Sequence, residues 1–177
     1  MPDWQAEAII LSVRPHGEGS AVISVLTADY GRHAGLVRGG ASSKMRGIMQ
    51  PGNRVRVSWR ARLSEQLGQM QIELIQSVPA LLLDSPLRLS GVASMCALLD
   101  GALPEREAQP GLFEGSAALL DVIVLDDDNA GWVEGYVRWE LGLLAAVGYR
   151  LDLARCVASG QTNDLAFVSP KSGGAVA

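Results

Sequence analysis

The stretch from Arg54 to Leu63 alternates strictly between polar and apolar side chains, and no other feature of the sequence constrains the fold as tightly. Successive side chains of a β-strand point to opposite faces, so this stretch predicts a strand with one apolar and one cationic face. The apolar face comprises Val55, Val57, Trp59, Ala61 and Leu63, and the other face carries Arg54, Arg56, Ser58, Arg60 and Arg62. Such a row of guanidinium groups suits the backbone of a polyanion.

Positive charge is concentrated around this strand although the whole chain has a formal net charge of -4. Between Tyr30 and Leu63 there are eight Lys or Arg residues and no Asp or Glu. Screening limits the reach of a charge to about 8–10 Å at physiological salt, so the local patch is a better guide to partners than the net charge. The alternative is an ordinary solvated strand face, partly neutralised by Glu65 and Glu73 on the same hairpin.

Short alternating segments separated by turn residues fill the rest of residues 1–79. They predict strands at Ala6–Val13, Ser20–Leu26, Arg32–Arg38, Arg54–Leu63 and Gln69–Val78, with a short helical turn at Lys44–Gln50. Five strands with a helix after the third match the OB-fold, a barrel that commonly binds single strands on a basic face. We expect Trp59 to lie inside this barrel. The alternative is that its indole ring is a platform on which a nucleic-acid base stacks.

The basic stretch supplies the candidate DNA-binding residues, which we expect to contact phosphates without reading bases. They are Arg32, Arg38, Lys44, Arg46, Arg54, Arg56, Arg60 and Arg62. His33 is expected to lie on the same face.

Helical patterns dominate residues 80–177, so the fold class is α+β: an OB-fold barrel at 1–79 followed by an α-helical domain. Ser90 is predicted to cap a helix that ends near Gly101, and Ser116 is predicted to start a second. Gly131–Val147 is the clearest helix, and an acidic turn at 126–129 precedes it. Most of its surface should be buried, because it carries two adjacent apolar stripes: Trp132, Tyr136, Trp139, Leu143, and Val133, Val137, Leu141, Leu144. The segment from Ser169 to Ala177 is expected to form a mobile tail.

No arrangement of residues resembles a catalytic site. No nucleophile has a base at motif spacing, and the acids that a nuclease would need are missing from the basic stretch. Cys96 and Cys156 are the only cysteines and lack CxxC spacing, which fits a reducing cytoplasm and provides neither a disulfide nor a zinc site. We expect a cytoplasmic protein that is not an enzyme and needs no cofactor. Cys96 is expected to be a small buried hydrophobe.

Several ordered segments resemble the bacterial RecO family of DNA repair proteins. They are Val25-Leu26-Thr27 followed by Tyr30-Gly31-Arg32, the Gly39-Gly40 loop leading to Lys44, Gln50-Pro51-Gly52, Glu65-Gln66-Leu67-Gly68, Gly142 to Tyr149, and Cys156. No single segment is specific, whereas the ordered set covers most of the chain.

The resemblance implies a recombination mediator that binds single- and double-stranded DNA, anneals strands, and helps RecR load RecA onto protein-coated single strands. It also implies RecF as a possible partner, contact with the acidic tail of the single-stranded DNA-binding protein, and association with the bacterial nucleoid. The alternative is a protein–protein adaptor whose basic barrel face binds acidic protein tails instead of DNA.

Two departures from the family pattern affect the second half. Relatives carry four cysteines after the long helix, whereas only Cys156 is present here, so residues from about 150 to 177 are interpreted as a vestigial zinc module without metal. Relatives also continue with further helices, so the C-terminus is interpreted as truncated. The candidate site for the acidic tail is Arg150 and Arg155, which flank Leu151 and Leu153. The alternative is that Arg150 only stabilises the end of the helix.

Overall fold

A computed structural model describes residues 2–40, 42–126 and 131–177 of the chain. Its first half contains strands β1 (Asp3–His16), β2 (Ser20–Thr27) and β3 (Gly31–Arg38), helix α1 (Ser43–Ile48), and strands β4 (Arg54–Arg60) and β5 (Gln69–Gln76). The strands close into a barrel in the order β1-β2-β3-β5-β4. The predicted five-stranded barrel with a helix between its third and fourth strands is confirmed, as is the α+β class.

The barrel closes through a weak seam. Strands β3 and β5 are parallel and share a single register pair, Leu36 with Gln69. All other neighbouring strands are antiparallel and pair over most of their length. A groove therefore has room to form along the β3–β5 seam.

The alternation in β4 gives the barrel its core. Val55 and Val57 are fully buried, and Trp59 is 3% exposed with its indole nitrogen donating to the carbonyl oxygen of Leu67 at 2.9 Å. The prediction that Trp59 lies in the core is confirmed. The strand is shorter than predicted because it ends at Arg60, and Leu63, predicted on the inner face, is 60% exposed.

Five helices are described, of which four follow the barrel: α2 (Val78–Leu81), α3 (Pro86–Ala102), α4 (Pro110–Leu125) and α5 (Gly131–Ala146). The predicted starts at Ser90 and Ser116 are wrong. Both serines lie inside helices and donate their hydroxyls to the carbonyl oxygens of Pro86 and Leu112. Each helix begins instead with a proline, whose fixed φ and missing N–H suit the first helical turn.

Residues Met1–Tyr136 form one compact unit, in which α3 packs against β1 of the barrel. The Cys96 thiol lies 3.5 Å from the carbonyl oxygen of Ile10 and is 1% exposed, which confirms it as a buried small residue. Burial raises the pKa of this thiol to about 12. A Cβ at Gly52 would lie 2.3 Å from Val92, so glycine allows the helix to approach the barrel this closely.

Residues Val137–Ala177 form the second compact unit. It contains a three-stranded sheet of β6 (Asp152–Cys156), β7 (Phe167–Val168) and β8 (Gly174–Val176), in the order β6-β8-β7. The expectation of a mobile tail after Ser169 is therefore wrong at residues 174–176. Cys156 is buried, and its sulfur accepts hydrogen bonds from the backbone nitrogens of Ser159 and Ala177, both at 3.4 Å.

Only one of the two predicted apolar stripes on α5 is buried. Trp132, Trp139 and Leu143 are 5–6% exposed, whereas Val133, Val137 and Leu144 are 43%, 50% and 37% exposed. The predicted acidic turn lies outside the described residues at Asp127, Asp128 and Asn129. None of the described helices has the length and apolar character needed to cross a membrane.

Candidate nucleic-acid interface

The outer face of the barrel presents three rows of side chains that run across β1, β4 and β5. The register places Arg56 between Glu7 and Glu73, Ser58 between Gln5 and Gln71, and Arg60 between Asp3 and Gln69. Directly opposed side chains on neighbouring strands interact. Arg56 therefore has an acidic residue on both neighbouring strands, whereas Arg60 is opposite an acid on β1 only and Arg54 lies between Ile9 and Gln76.

Arg56 is largely neutralised by its two neighbours. Its guanidinium lies 4.0 Å from the Glu7 carboxylate and 3.8 Å from that of Glu73, and all three side chains are at least half exposed. Neutralisation by Glu73 was the alternative drawn from the sequence, whereas Glu7 lies on β1, far from Arg56 in sequence, and no local pattern indicated it. The row of cations on β4 is therefore discontinuous.

Arg32 and Arg54 point toward the helices. Arg32 donates from Nε to the carbonyl oxygen of Leu103 at 2.8 Å and lies 3.5 Å and 3.4 Å from the carboxylates of Asp100 and Glu105. Arg54 forms a 3.0 Å ion pair with Asp121 on α4. The arginine side chains are only 18% and 26% exposed, so both residues join the barrel to the helices.

The other five candidates make no ion pair among residues 2–40, 42–126 and 131–177, and all are exposed. They are Arg38, Lys44, Arg46, Arg60 and Arg62. The structure thus divides the eight predicted residues into three engaged with carboxylates and five available to a ligand.

Two of the available cations meet at a groove over the β3–β5 seam, which we call the seam groove. Its volume is about 300 Å³. Arg38 from β3 and Arg60 from β4 line it together with polar side chains and an apolar floor: Ser58, Gln69, Gln71, Leu36, Val37, Met45, Met70 and Ile72. Cations beside amides and apolar surface can hold phosphates while covering the faces of bases.

Gly35 explains the shape of the groove floor. A Cβ at this position would lie 2.5 Å from Cγ of Met70, so only glycine lets the methionine side chain pack against β3. Met70 is 2% exposed as a result. The other three available cations do not line the seam groove: Lys44 and Arg46 lie on α1 and Arg62 follows β4.

His33 lies in the core, and the expectation that it belongs to the basic face is wrong. Its ring is 4% exposed and makes edge contacts with Trp4 and Trp59, at centroid distances of 5.1 and 4.7 Å. Burial, together with the charge of Arg106, lowers the pKa of His33 to about 4. The ring is therefore neutral at physiological pH and adds no charge to the outer face.

Arg106, a residue that no sequence pattern indicated, fixes the β4–β5 hairpin. Its guanidinium donates to the carbonyl oxygens of Ser64 and of Gln66, the latter at 2.9 Å, while its backbone nitrogen donates to Arg32 at 2.7 Å. It adopts φ 63°, in the left-handed region that side chains other than glycine rarely occupy. An isolated arginine in an acidic loop carries no sequence signal for this role.

The predicted acidic-peptide site is on the second compact unit. Arg150 and Arg155 are exposed, Leu153 is 40% exposed, and Leu151 is half-buried. Nothing in these positions tests the predicted pocket, which stays a prediction. Among the described residues, no group of three or more His, Cys, Asp or Glu side chains could hold a metal ion.

Two family models match the chain along nearly its whole length. Recombination protein O N terminal matches residues 1–78, and Recombination protein O C terminal matches residues 83–177. The boundary between these models falls where the barrel gives way to the helices.

Curated relatives agree with the family models. The DNA repair protein RecO of Rhodospirillum centenum is 51% identical over 176 residues, which cover 98% of this chain and 69% of the relative. The protein of the same name from Jannaschia sp. is 47% identical over 174 residues, which cover 98% of this chain and 70% of the relative. The one from Rhodospirillum rubrum is 44% identical over 178 residues, which cover 99% of this chain and 71% of the relative. The resemblance noted in the sequence is confirmed, and the chain belongs to the RecO family.

Proposed function

We propose that this protein is a DNA-binding mediator of recombinational DNA repair that binds single- and double-stranded DNA and anneals strands. The observation that carries the proposal is the pair of available guanidinium groups, Arg38 and Arg60, which line one groove of an OB-fold barrel. The relatives named DNA repair protein RecO support the same assignment. The protein binds DNA and hands it over to its partners, and this role requires no covalent bond to be broken.

In this proposal the cations and the apolar floor of the seam groove bind different parts of the DNA. Arg38 and Arg60 bind successive phosphates, and the exposed side chains of Lys44 and Arg62 extend the cationic path. The apolar floor gives unstacked bases a surface that excludes water without reading their edges. Backbone binding of this kind is independent of sequence and depends strongly on salt.

The ion-paired arginines have a different role in this proposal. Arg32 and Arg54 hold the helices against the barrel, and the positive charge of Arg56 is offset by the carboxylates of Glu7 and Glu73. Their removal should change stability more than DNA affinity.

The proposed partners are RecR, with RecF as a further candidate, the acidic tail of the single-stranded DNA-binding protein, and RecA indirectly. Family membership supports this part of the proposal. The tail-binding site is placed at Arg150 and Arg155 on the second compact unit, where exposed cations lie beside apolar side chains. The alternative function, a protein adaptor, is favoured by the same available cations, because they would also attract acidic protein tails.

A salt titration of DNA binding tests the proposal. Fluorescence anisotropy with labelled oligothymidylate should show that the double variant R38E/R60E binds more weakly and with a flatter salt dependence, by about 0.7 in slope per lost single-strand phosphate contact. The control is R155E, which reverses an exposed arginine on the second compact unit. Equal slopes for parent and double variant would contradict DNA binding at the seam groove. If only acidic peptides bind, the adaptor function is correct.

A further inference from the structure

Arg60 lies between two recesses on the outer face of the barrel. One is the seam groove, and the other, of about 280 Å³, lies where β1 pairs with β4. We call the second one the β1 recess; its lining residues are Asp3, Trp4, Gln5, Ser58 and Arg60. Because Arg60 lines both recesses, its guanidinium is shared between them.

Asp3 is the only acidic residue that lines either recess in the described part of the chain. It lies directly opposite Arg60 in the β1–β4 register, and both residues are exposed. Neither makes an ion pair among residues 2–40, 42–126 and 131–177. The structure therefore holds Arg60 in a state that is open to a phosphate, with a carboxylate on the neighbouring strand.

The backbone on both sides of Asp3 is held against β4. The backbone nitrogen of Ala61 donates to the carbonyl oxygen of Pro2 at 3.1 Å, which continues the strand pairing past Asp3. On the other side, the Trp4 ring stacks on Trp59 at a centroid distance of 5.8 Å. The barrel itself therefore sets the position of the Asp3 carboxylate.

Arg56 shows that an acid on β1 can reach the arginine opposite it. It lies on the same face of β4 as Arg60, and its guanidinium is 4.0 Å from the carboxylate of Glu7 on β1. On β5, Arg56 is opposite Glu73, whereas Arg60 is opposite the uncharged Gln69. Arg60 therefore has a carboxylate on one side and, on the other, a neutral groove in which a phosphate can bind.

We propose that Asp3 is a positioning residue that competes with DNA phosphate for the Arg60 guanidinium and thereby speeds release of the strand. An exposed ion pair contributes little free energy, so the carboxylate can hold Arg60 for part of the time without abolishing DNA binding. Fast release suits a protein that hands a strand over to its partners. The inference rests on the proposed function, because it requires Arg60 to bind phosphate in the seam groove.

The test is the dissociation rate of labelled oligothymidylate, followed by stopped-flow anisotropy after the complex is mixed with excess unlabelled strand. D3N should slow dissociation and raise affinity about two- to fivefold, the range that exposed ion pairs reach. D3E keeps the carboxylate and should release DNA like the parent. In the R60A background, D3N should change either quantity by less than about 1.5-fold, because the guanidinium for which Asp3 competes is gone.

D84N is the matched control, since it removes the same charge from an exposed aspartate that lines neither recess. It should change the dissociation rate by less than about 1.5-fold. The inference is overturned if D3N releases DNA at the parental rate or if D84N slows release equally. An effect of D3N that persists undiminished in R60A would show general repulsion of phosphates and also overturn it. Weaker binding by D3N would assign the carboxylate to hydrogen bonds with bases instead.

The single variant R60A separates this inference from the proposed function. If R60A weakens binding while D3N behaves like the parent, the role of Asp3 is wrong and DNA binding at the seam groove stands. If R60A also binds like the parent, DNA binding at the seam groove is wrong, and the inference falls with it.

Discussion

Arg54 on β4 and Asp121 on α4 form an ion pair of 3.0 Å, 67 residues apart in sequence, within the compact unit that contains the barrel. The arginine side chain is 26% exposed and the aspartate side chain 49%, so solvent screens the pair only partly. A residue predicted to bind DNA thus joins two structural layers of the protein.

Arg54→Ala should lower the free energy of unfolding by roughly 0.5–1 kcal/mol, as for a partly exposed ion pair, while DNA affinity changes little. Asp121→Asn should have a similar effect, because it removes the opposite charge. Urea denaturation and DNA anisotropy on the same samples measure both quantities. A variant with parental stability but much weaker DNA binding would show that Arg54 contacts DNA after all.

Gly31 should be far less tolerant of substitution than Gly17, although both have left-handed φ angles, of 61° and 57°. A Cβ at Gly31 would lie 1.9 Å from the carbonyl oxygen of Glu107, whereas nothing lies within 4 Å of a Cβ at Gly17. Gly17→Ala should cost about 1–2 kcal/mol from the backbone conformation alone. Gly31→Ala should cost roughly 3 kcal/mol or more, because the loop must also move. Similar melting temperatures for the two variants would contradict this.

Stability should fall as the pH drops from about 6.5 to about 4, because His33 is buried in neutral form. Its folded pKa of about 4 lies below the ordinary 6.5, so the unfolded chain binds more protons between these values and protonation favours unfolding. Above pH 6.5 the shifted pKa of His33 makes its full contribution to the free energy of unfolding, which amounts to roughly 3 kcal/mol. His33→Phe keeps an aromatic ring beside Trp4 and Trp59 and should reduce the pH dependence. An identical pH profile for parent and variant would show that His33 is not responsible.

Removing the Arg106 side chain should loosen the β4–β5 hairpin. Arg106→Ala eliminates the hydrogen bonds to Ser64 and Gln66, so amide hydrogen exchange should accelerate across residues 61–68. Exchange in the β1–β2 hairpin serves as the internal control. Unchanged protection at residues 61–68 would mean that the hairpin is held by its own contacts, such as that of the Trp59 indole with Leu67.

The barrel was predictable because the alternation of apolar and polar side chains along a strand can be read from neighbouring residues alone. Val55, Val57 and Trp59 are buried as the alternation requires. The starts of α3 and α4 were predicted wrongly because Ser90 and Ser116 were interpreted as caps, whereas the prolines at 86 and 110 begin the helices.

The candidate site was only partly predictable because charge neutralisation is a property of neighbouring strands and helices. The partners of Arg32 and Arg54 come from α3, α4 and the segment between them, and those of Arg56 from β1 and β5. A stretch of sequence without acidic residues can therefore still lie beside acidic side chains that other strands and helices supply. The seam groove likewise depends on a parallel β3–β5 contact that no local pattern reveals.

Arg56 and Arg60 provide the most direct test, because they lie on the same face of the same strand and differ in their surroundings. Arg56 is paired with Glu7 and Glu73, whereas Arg60 lines the seam groove without an ion pair in the described part of the chain. The measurement is the salt dependence of oligothymidylate affinity for the parent, R56A and R60A. We predict that R60A weakens binding and flattens the slope by about 0.7, while R56A matches the parent. Equal losses for both variants, or a loss for R56A alone, would contradict the seam groove as the DNA-binding site.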